Sequence, residues 1–185
     1  MICWILLLVV FSFTKGSPIS YSPKSSGNYF EVNMDHFDVI KENKDYWEWH
    51  LKLRKVNKTR SLVGMVEIKK PIGNDFTAQI NILKKQGGEY RYLPYGLPEK
   101  QLCEFYANDT YVYPDVAKNS DLPEDIGSNC PIQPGNYTTD GVSFSLENFP
   151  KLILSSGDYA TELIYRDPEK EICGVYRIYA QVHNI

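Results

Sequence analysis

The chain has 185 residues, a formal net charge of −3 and 43% apolar residues, enough for one domain with a buried core. Lys and Arg are scattered among Asp and Glu, which argues against nucleic acid as a partner. Three histidines give metal and acid–base chemistry little to work with.

The first element is an apolar run from Ile2 to Phe13, closed by Thr14, Lys15 and Gly16. It is too short to cross a bilayer core of roughly 30 Å and reads as a secretory signal peptide over residues 1–16. Nothing downstream approaches 18 consecutive apolar residues, so the expected product is a secreted, extracellular chain from Ser17 onward. Loss of Lys15 takes its charge from −3 to −4. Residues 17–28 (SPISYSPKSSGN) are rich in Ser, Pro and Gly and predict a flexible lead-in to a domain spanning 29–185.

A first strand is expected around Tyr29 to Met34. From Tyr46 to Arg54 the alternation is clean, with Trp47, Trp49, Leu51 and Leu53 on one face and Glu48, His50, Lys52 and Arg54 on the other, as in a strand with one wet side. A turn at Asn57-Lys58-Thr59 leads to Ser61–Ile68, whose Leu62, Gly64, Val66 and Ile68 complete a hairpin. Pro71 and Gly73 end it. Phe76, Ala78, Ile80 and Ile82 then mark a third alternating strand.

Pro98 is expected to open a short helix reaching Tyr106, because Leu102, Phe105 and Tyr106 have helical spacing. A second helical turn is expected at Asp121–Asp125. Strand patterning resumes at Val142–Leu146, Tyr159–Arg166 and Ile172–Val182, with the last two paired across the turn Asp167-Pro168-Glu169-Lys170. Their inward sets are Tyr159, Thr161, Leu163 and Tyr165 against Gly174, Tyr176, Ile178, Ala180 and Val182. Glu162, Arg166, Arg177 and Gln181 are expected in water. Six or more short strands with one or two short helices predict an all-β sandwich of two antiparallel sheets.

Beyond Cys3 the chain holds Cys103, Cys130 and Cys173, so one thiol is left over. Cys103 and Cys130 are the preferred pair, closing a loop of roughly thirty residues worth about 3–4 kcal/mol in the chain-entropy model. Cys173 is then expected to be buried and inert. Asn57, Asn108 and Asn136 begin N-x-Thr triplets beside polar or turn-forming residues and are candidate glycosylation sites.

No HExxH, CxxC, GxSxG, phosphate-cradling glycine loop or EF-hand spacing occurs in the sequence. His50 falls on a polar strand face and His183 beside the C-terminus. His36, in Asp35-His36-Phe37-Asp38, fits either a seat between two carboxylates or a strand-end turn. The expectation is a protein that is not an enzyme and that uses neither metal nor cofactor. A lipid site would leave no motif, since its lining is written in the same residues as a core.

From Cys130 the sequence runs CPIQPGNYTTDGVSFSLENFPKLILSSGDYATELIY and closes with EICGVYRIYAQVHNI. Cys130-Pro131, Gly135-x-Tyr137, Pro150, Gly157-x-Tyr159 and Cys173-Gly174, in that order, resemble the C-terminal half of the ganglioside-activator branch of the ML lipid-recognition superfamily. With Leu102-Cys103-Glu104-Phe105 upstream, the chain is most similar to insect chemosensory members of that group. The resemblance covers about residues 29–185 and is strongest after Cys103.

It implies an immunoglobulin-like cup of two sheets around an apolar cavity that carries a lipid. It also implies a Cys103–Cys130 disulfide and a membrane-touching loop at the cavity mouth bearing Leu152, Ile153 and Leu154. The family's N-terminal partner for Cys173 is missing, which favours a smaller cargo than a ganglioside, such as a cuticular hydrocarbon or a fatty-acid-derived signal. The expected lining is Trp47, Trp49, Leu51, Ile80, Ile82, Leu163, Tyr176 and Ile178. The competing expectation is a β-sandwich with a filled core that presents its loops to a receptor or enzyme. Cavity volume separates the two.

Overall fold

The computed structural model describes residues 30–56, 59–110, 112–143 and 155–184. The expected signal peptide and lead-in, the Asn57 sequon and the run Leu152, Ile153 and Leu154 lie outside the described residues. Among the described residues eight strands and two helices occur in the order β1 (Phe30–Glu42), β2 (Trp47–Val56), β3 (Thr59–Ile68), β4 (Thr77–Gln86), β5 (Glu89–Gln101), α1 (Leu102–Ala107), α2 (Tyr113–Lys118), β6 (Gly135–Val142), β7 (Gly157–Arg166) and β8 (Ile172–Asn184). They build an all-β sandwich: a five-stranded sheet in the order β1-β8-β7-β4-β5 and a three-stranded sheet in the order β2-β3-β6. Every neighbouring pair is antiparallel.

Period-two alternation places the strands it predicted. Trp47 stands opposite Ile68, Trp49 opposite Val66 and Leu51 opposite Gly64, so the apolar side chains of β2 and β3 share the inner face. Gly64 has a φ of +142°, and a Cβ there would meet the His50 carbonyl oxygen at 2.1 Å. That position has no room for a side chain. In the larger sheet Leu163 pairs with Tyr176 and Thr161 with Ile178, which fixes the two inward rows expected for β7 and β8.

Four boundaries differ from expectation, each for a physical reason. β1 runs on to Glu42 because it pairs with β8 along its whole length and absorbs irregularities between Met34 and His36 and between Val39 and Lys41. Such bulges shift the side-chain parity and break the alternation that a sequence reading counts. Pro98 lies within β5 rather than opening a helix, and α1 begins only at Leu102. β5 is an edge strand, where a missing N–H costs no ladder bond.

The third difference is that Asp121–Asp125 is not helical and the second helix is Tyr113–Lys118. The Asp109 carboxylate accepts from the Val112 and Tyr113 amides at 3.0 and 2.9 Å, and Pro114 sits in the first turn, a start signal earlier than the one sought. Asp121 instead receives bonds from the Thr138 amide and hydroxyl, and Asp125 from Ser128. Finally, the strand expected at Val142–Leu146 is β6, ending at Val142, and residues 144–146 lie outside the described residues.

Residues 43–46 carry the chain from β1 in one sheet to β2 in the other. On the opposite flank the edge strands β5 and β6 are bridged by α1, α2 and the loops between them. Leu102 donates to the Phe76 carbonyl, Ile72 and Ile132 exchange backbone bonds, and Asp121 and Asp140 bond to Thr138 and Asn119. The Cys103–Cys130 disulfide fastens α1 to the segment leading into β6. One wall between the sheets is therefore made by the helical segment.

Candidate functional site

The space between the sheets is not filled. A cavity of about 590 Å³ runs between them. Trp47, Trp49 and Leu51 of β2, Ile80 and Ile82 of β4, Leu163 of β7 and Tyr176 and Ile178 of β8 all line it. The structure thus brings together all eight residues expected at a cavity wall, and the alternation in each strand is what turns them inward.

One end of the cavity is an aromatic floor. Trp47 is 4% exposed, and its indole N–H donates to the Tyr176 hydroxyl at 2.5 Å. That hydroxyl donates onward to Glu42 Oε1 at 3.1 Å, and the same carboxylate oxygen accepts the Trp49 amide at 2.8 Å. Trp49 stacks on Tyr176 with ring centroids 3.9 Å apart. Tyr165 and Phe76 pack against Trp47 at 5.3 and 5.9 Å, and Tyr106 and Tyr165 join hydroxyl to hydroxyl. Burial, reinforced by the nearby Glu42 carboxylate, pushes the Tyr176 phenol up, and burial does the same at Tyr106 and Tyr165. All three are neutral phenols at ordinary pH.

Above the floor the wall is aliphatic, with Met34, Leu62, Val142, Ala180 and Val182 among its residues. Two of its phenols are taken by backbone carbonyls: Tyr113 donates to Pro123 at 2.5 Å and Tyr137 to Gln133 at 2.8 Å. Among the described residues Asp109 is the charged residue of the lining, and it caps α2. A wall so arranged offers a guest much apolar contact and few hydrogen bonds.

Sequence reasoning missed the part of the wall that lies outside the alternating strands. Leu102 and Tyr106 of α1, Tyr113 and Val116 of α2, and Ile126 and Ile132 of the following loops all line the cavity. The helical spacing of Leu102 and Tyr106 was the one signal available. Pro94, Tyr95 and Gly96 of β5 also line it. Tyr92 pairs with Leu83 and Gly96 with Asn81, so Leu93-Pro94-Tyr95 bulges out opposite Ile82. Tyr95 is 45% exposed, and the cavity meets solvent at this bulge.

The remaining candidates fall elsewhere. Cys103 and Cys130 are bonded as expected, and Cys173 is free and buried, its thiol pushed up to about 12 chiefly by burial. Asn108 and Asn136 are exposed. His36 sits within β1 rather than at a strand end, its Nε2 2.6 Å from Asp38, while Asp35 faces Arg60 at 3.6 Å. His50 and His183 are exposed. Among the described residues no group of His, Cys, Asp and Glu is arranged to hold a metal ion. Glu162, expected in water, is 4% exposed on the outer face of the five-stranded sheet, where it bonds Arg177, Tyr92 and Asn81. A tyrosine-covered sheet face hides a carboxylate that alternation alone assigns to solvent.

Residues 78–161, from β4 to the middle of β7, match a family described as protein of unknown function (DUF1091). No curated protein matches the chain.

Proposed function

We propose that this chain is a secreted carrier of one hydrophobic small molecule, related to the ganglioside-activator branch of the ML superfamily, and that it performs no catalysis. The observation that carries the reading is the cavity of about 590 Å³ with its apolar, hydrogen-bond-poor wall. The competing reading, an interaction module with a filled core, needs the aromatic side chains to occupy that volume. Instead Trp49 stacks on Tyr176, and Trp47 hydrogen-bonds the Tyr176 hydroxyl, gathering these rings at one end.

Size narrows the cargo. At roughly 30 Å³ per heavy atom, the volume share of a liquid water, the cavity holds on the order of 20 atoms. That is one chain, not the two chains and sugars of a ganglioside. At about 0.8 kcal/mol per buried methylene, about fifteen methylenes supply about 12 kcal/mol, which leaves micromolar binding after about 4 kcal/mol of association cost. Extracellular lipid handling or chemosensory delivery in an insect fits a cargo of this size.

Native mass spectrometry of protein secreted from cells tests the reading, together with titration by a fluorescent single-chain acyl probe. Copurified lipid is expected, with saturable probe binding at micromolar concentration and displacement by unlabelled chains. Empty protein that ignores the probe overturns it.

A further inference from the structure

The inward-facing row of β4 reads Ala78, Ile80, Ile82 and Lys84, because β4 pairs with β7 without a register shift from Thr77 to Lys84. A lysine in that row is out of keeping with the rest. It stands one inward position beyond Ile82, which faces the β5 bulge where the cavity meets solvent, and its partner across the ladder is Tyr159, a wall residue. Its ammonium lies 5.1 Å from the centre of the Tyr159 ring and donates to the Ser155 hydroxyl at 2.5 Å. Tyr159 holds Ser155 from the other side, donating to its carbonyl at 2.9 Å and accepting from its amide at 3.2 Å.

Among the described residues no carboxylate lies within ion-pair distance of Lys84, whereas neighbouring Lys85 faces Asp158 at 3.7 Å. Lys84 has three donors, of which the Ser155 hydroxyl and the Tyr159 hydroxyl take two among the described residues. Among the described residues the cavity wall itself carries no cation. A fixed positive charge with a donor to spare among the described residues and an adjacent hydroxyl, held against the wall residue Tyr159 at the end of an apolar row, suits a group of charge −1 such as a carboxylate.

We propose that Lys84 and Ser155, with Tyr159 as their support, form a head-group site for the carboxylate of a single-chain fatty acid whose tail lies in the cavity. This rests on the carrier reading and adds the polar end of the cargo. A phosphate monoester, nearer charge −2, is mismatched to one lysine.

The test follows Trp47 and Trp49 fluorescence in the secreted protein, because both residues line the cavity. It compares hexadecanoic acid, its methyl ester and hexadecyl phosphate below their aggregation concentrations at neutral pH. The acid is expected to bind about tenfold tighter than the ester, the scale of one charge-assisted hydrogen bond. That ratio should collapse towards one in Lys84→Met, be largely restored in Lys84→Arg, and shrink with added salt. Equal binding of acid and ester by wild type, a preference that survives Lys84→Met, or tighter binding of the phosphate overturns the head-group site while leaving the carrier reading in place. If none of the three ligands binds, the carrier reading fails as well.

Discussion

Replacing Tyr176 by Phe isolates one hydroxyl at the aromatic floor. The ring, its stack on Trp49 and its burial at 1% exposure all survive, so apolar burial does not change. What is lost is the acceptor for the Trp47 indole N–H and one donor to Glu42. Trp47 is 4% exposed and has no water to turn to, so the orphaned donor costs about 1–3 kcal/mol. Glu42 is half-buried and keeps the Trp49 amide, which adds little.

The expected loss is about 2 kcal/mol, read by urea unfolding as a midpoint shift of about 1 M with an unchanged slope. In a Trp47→Phe background no donor is left unpaired, and the same Tyr176→Phe change should cost about half as much. The coupling between the two is about 1 kcal/mol. A midpoint shift within error, or an equal cost in both backgrounds, refutes the reasoning.

Two further outcomes follow from titratable groups. Burial works to raise the Glu162 carboxyl, yet the bonds from Arg177, Tyr92 and Asn81 prevail and hold it below its ordinary 4.5. A depressed folded value means stability that is present above about pH 4.5 and lost as pH falls through the lower folded value. Glu162→Gln should therefore cost about 2–3 kcal/mol at pH 7, with the gap to wild type narrowing below about pH 4 in denaturant titrations; a constant gap would contradict the assignment. The Cys173 thiol, up at about 12, should ignore a thiol reagent at pH 8 in the native protein and react with one equivalent in unreduced denaturant. Fast native labelling would show that the residue is accessible.

Much of this fold is legible because strand alternation writes burial directly into residue order. Trp47, Trp49 and Leu51 on β2 and Leu163, Tyr176 and Ile178 on β7 and β8 reach the cavity wall by parity alone. Parity fails where an extra residue intervenes, as within β1 and in the Leu93-Pro94-Tyr95 bulge. It also fails where an outer face is covered by its own tyrosines, as over Glu162. The wall supplied by α1, α2 and Ile126 was hidden for another reason: residues of a loop turn inward only once a distant edge, here β6, gives them something to close against. Lys84 was hidden by its charge, which reads as solvent even in an inward row.

The bulge in β5 bears on solubility. β5 is an outer strand of the five-stranded sheet, and a long unpaired edge invites another chain to add a strand. Pro94 and Pro98 remove two amides from that edge, and the Leu93-Pro94-Tyr95 excursion breaks its line. A straight edge beside an open apolar hollow would combine the two commonest routes to self-association, strand addition and exposed hydrophobic surface. Pro94 and Tyr95, wall residues of the cavity, thus also stop neighbouring molecules from zipping onto that edge.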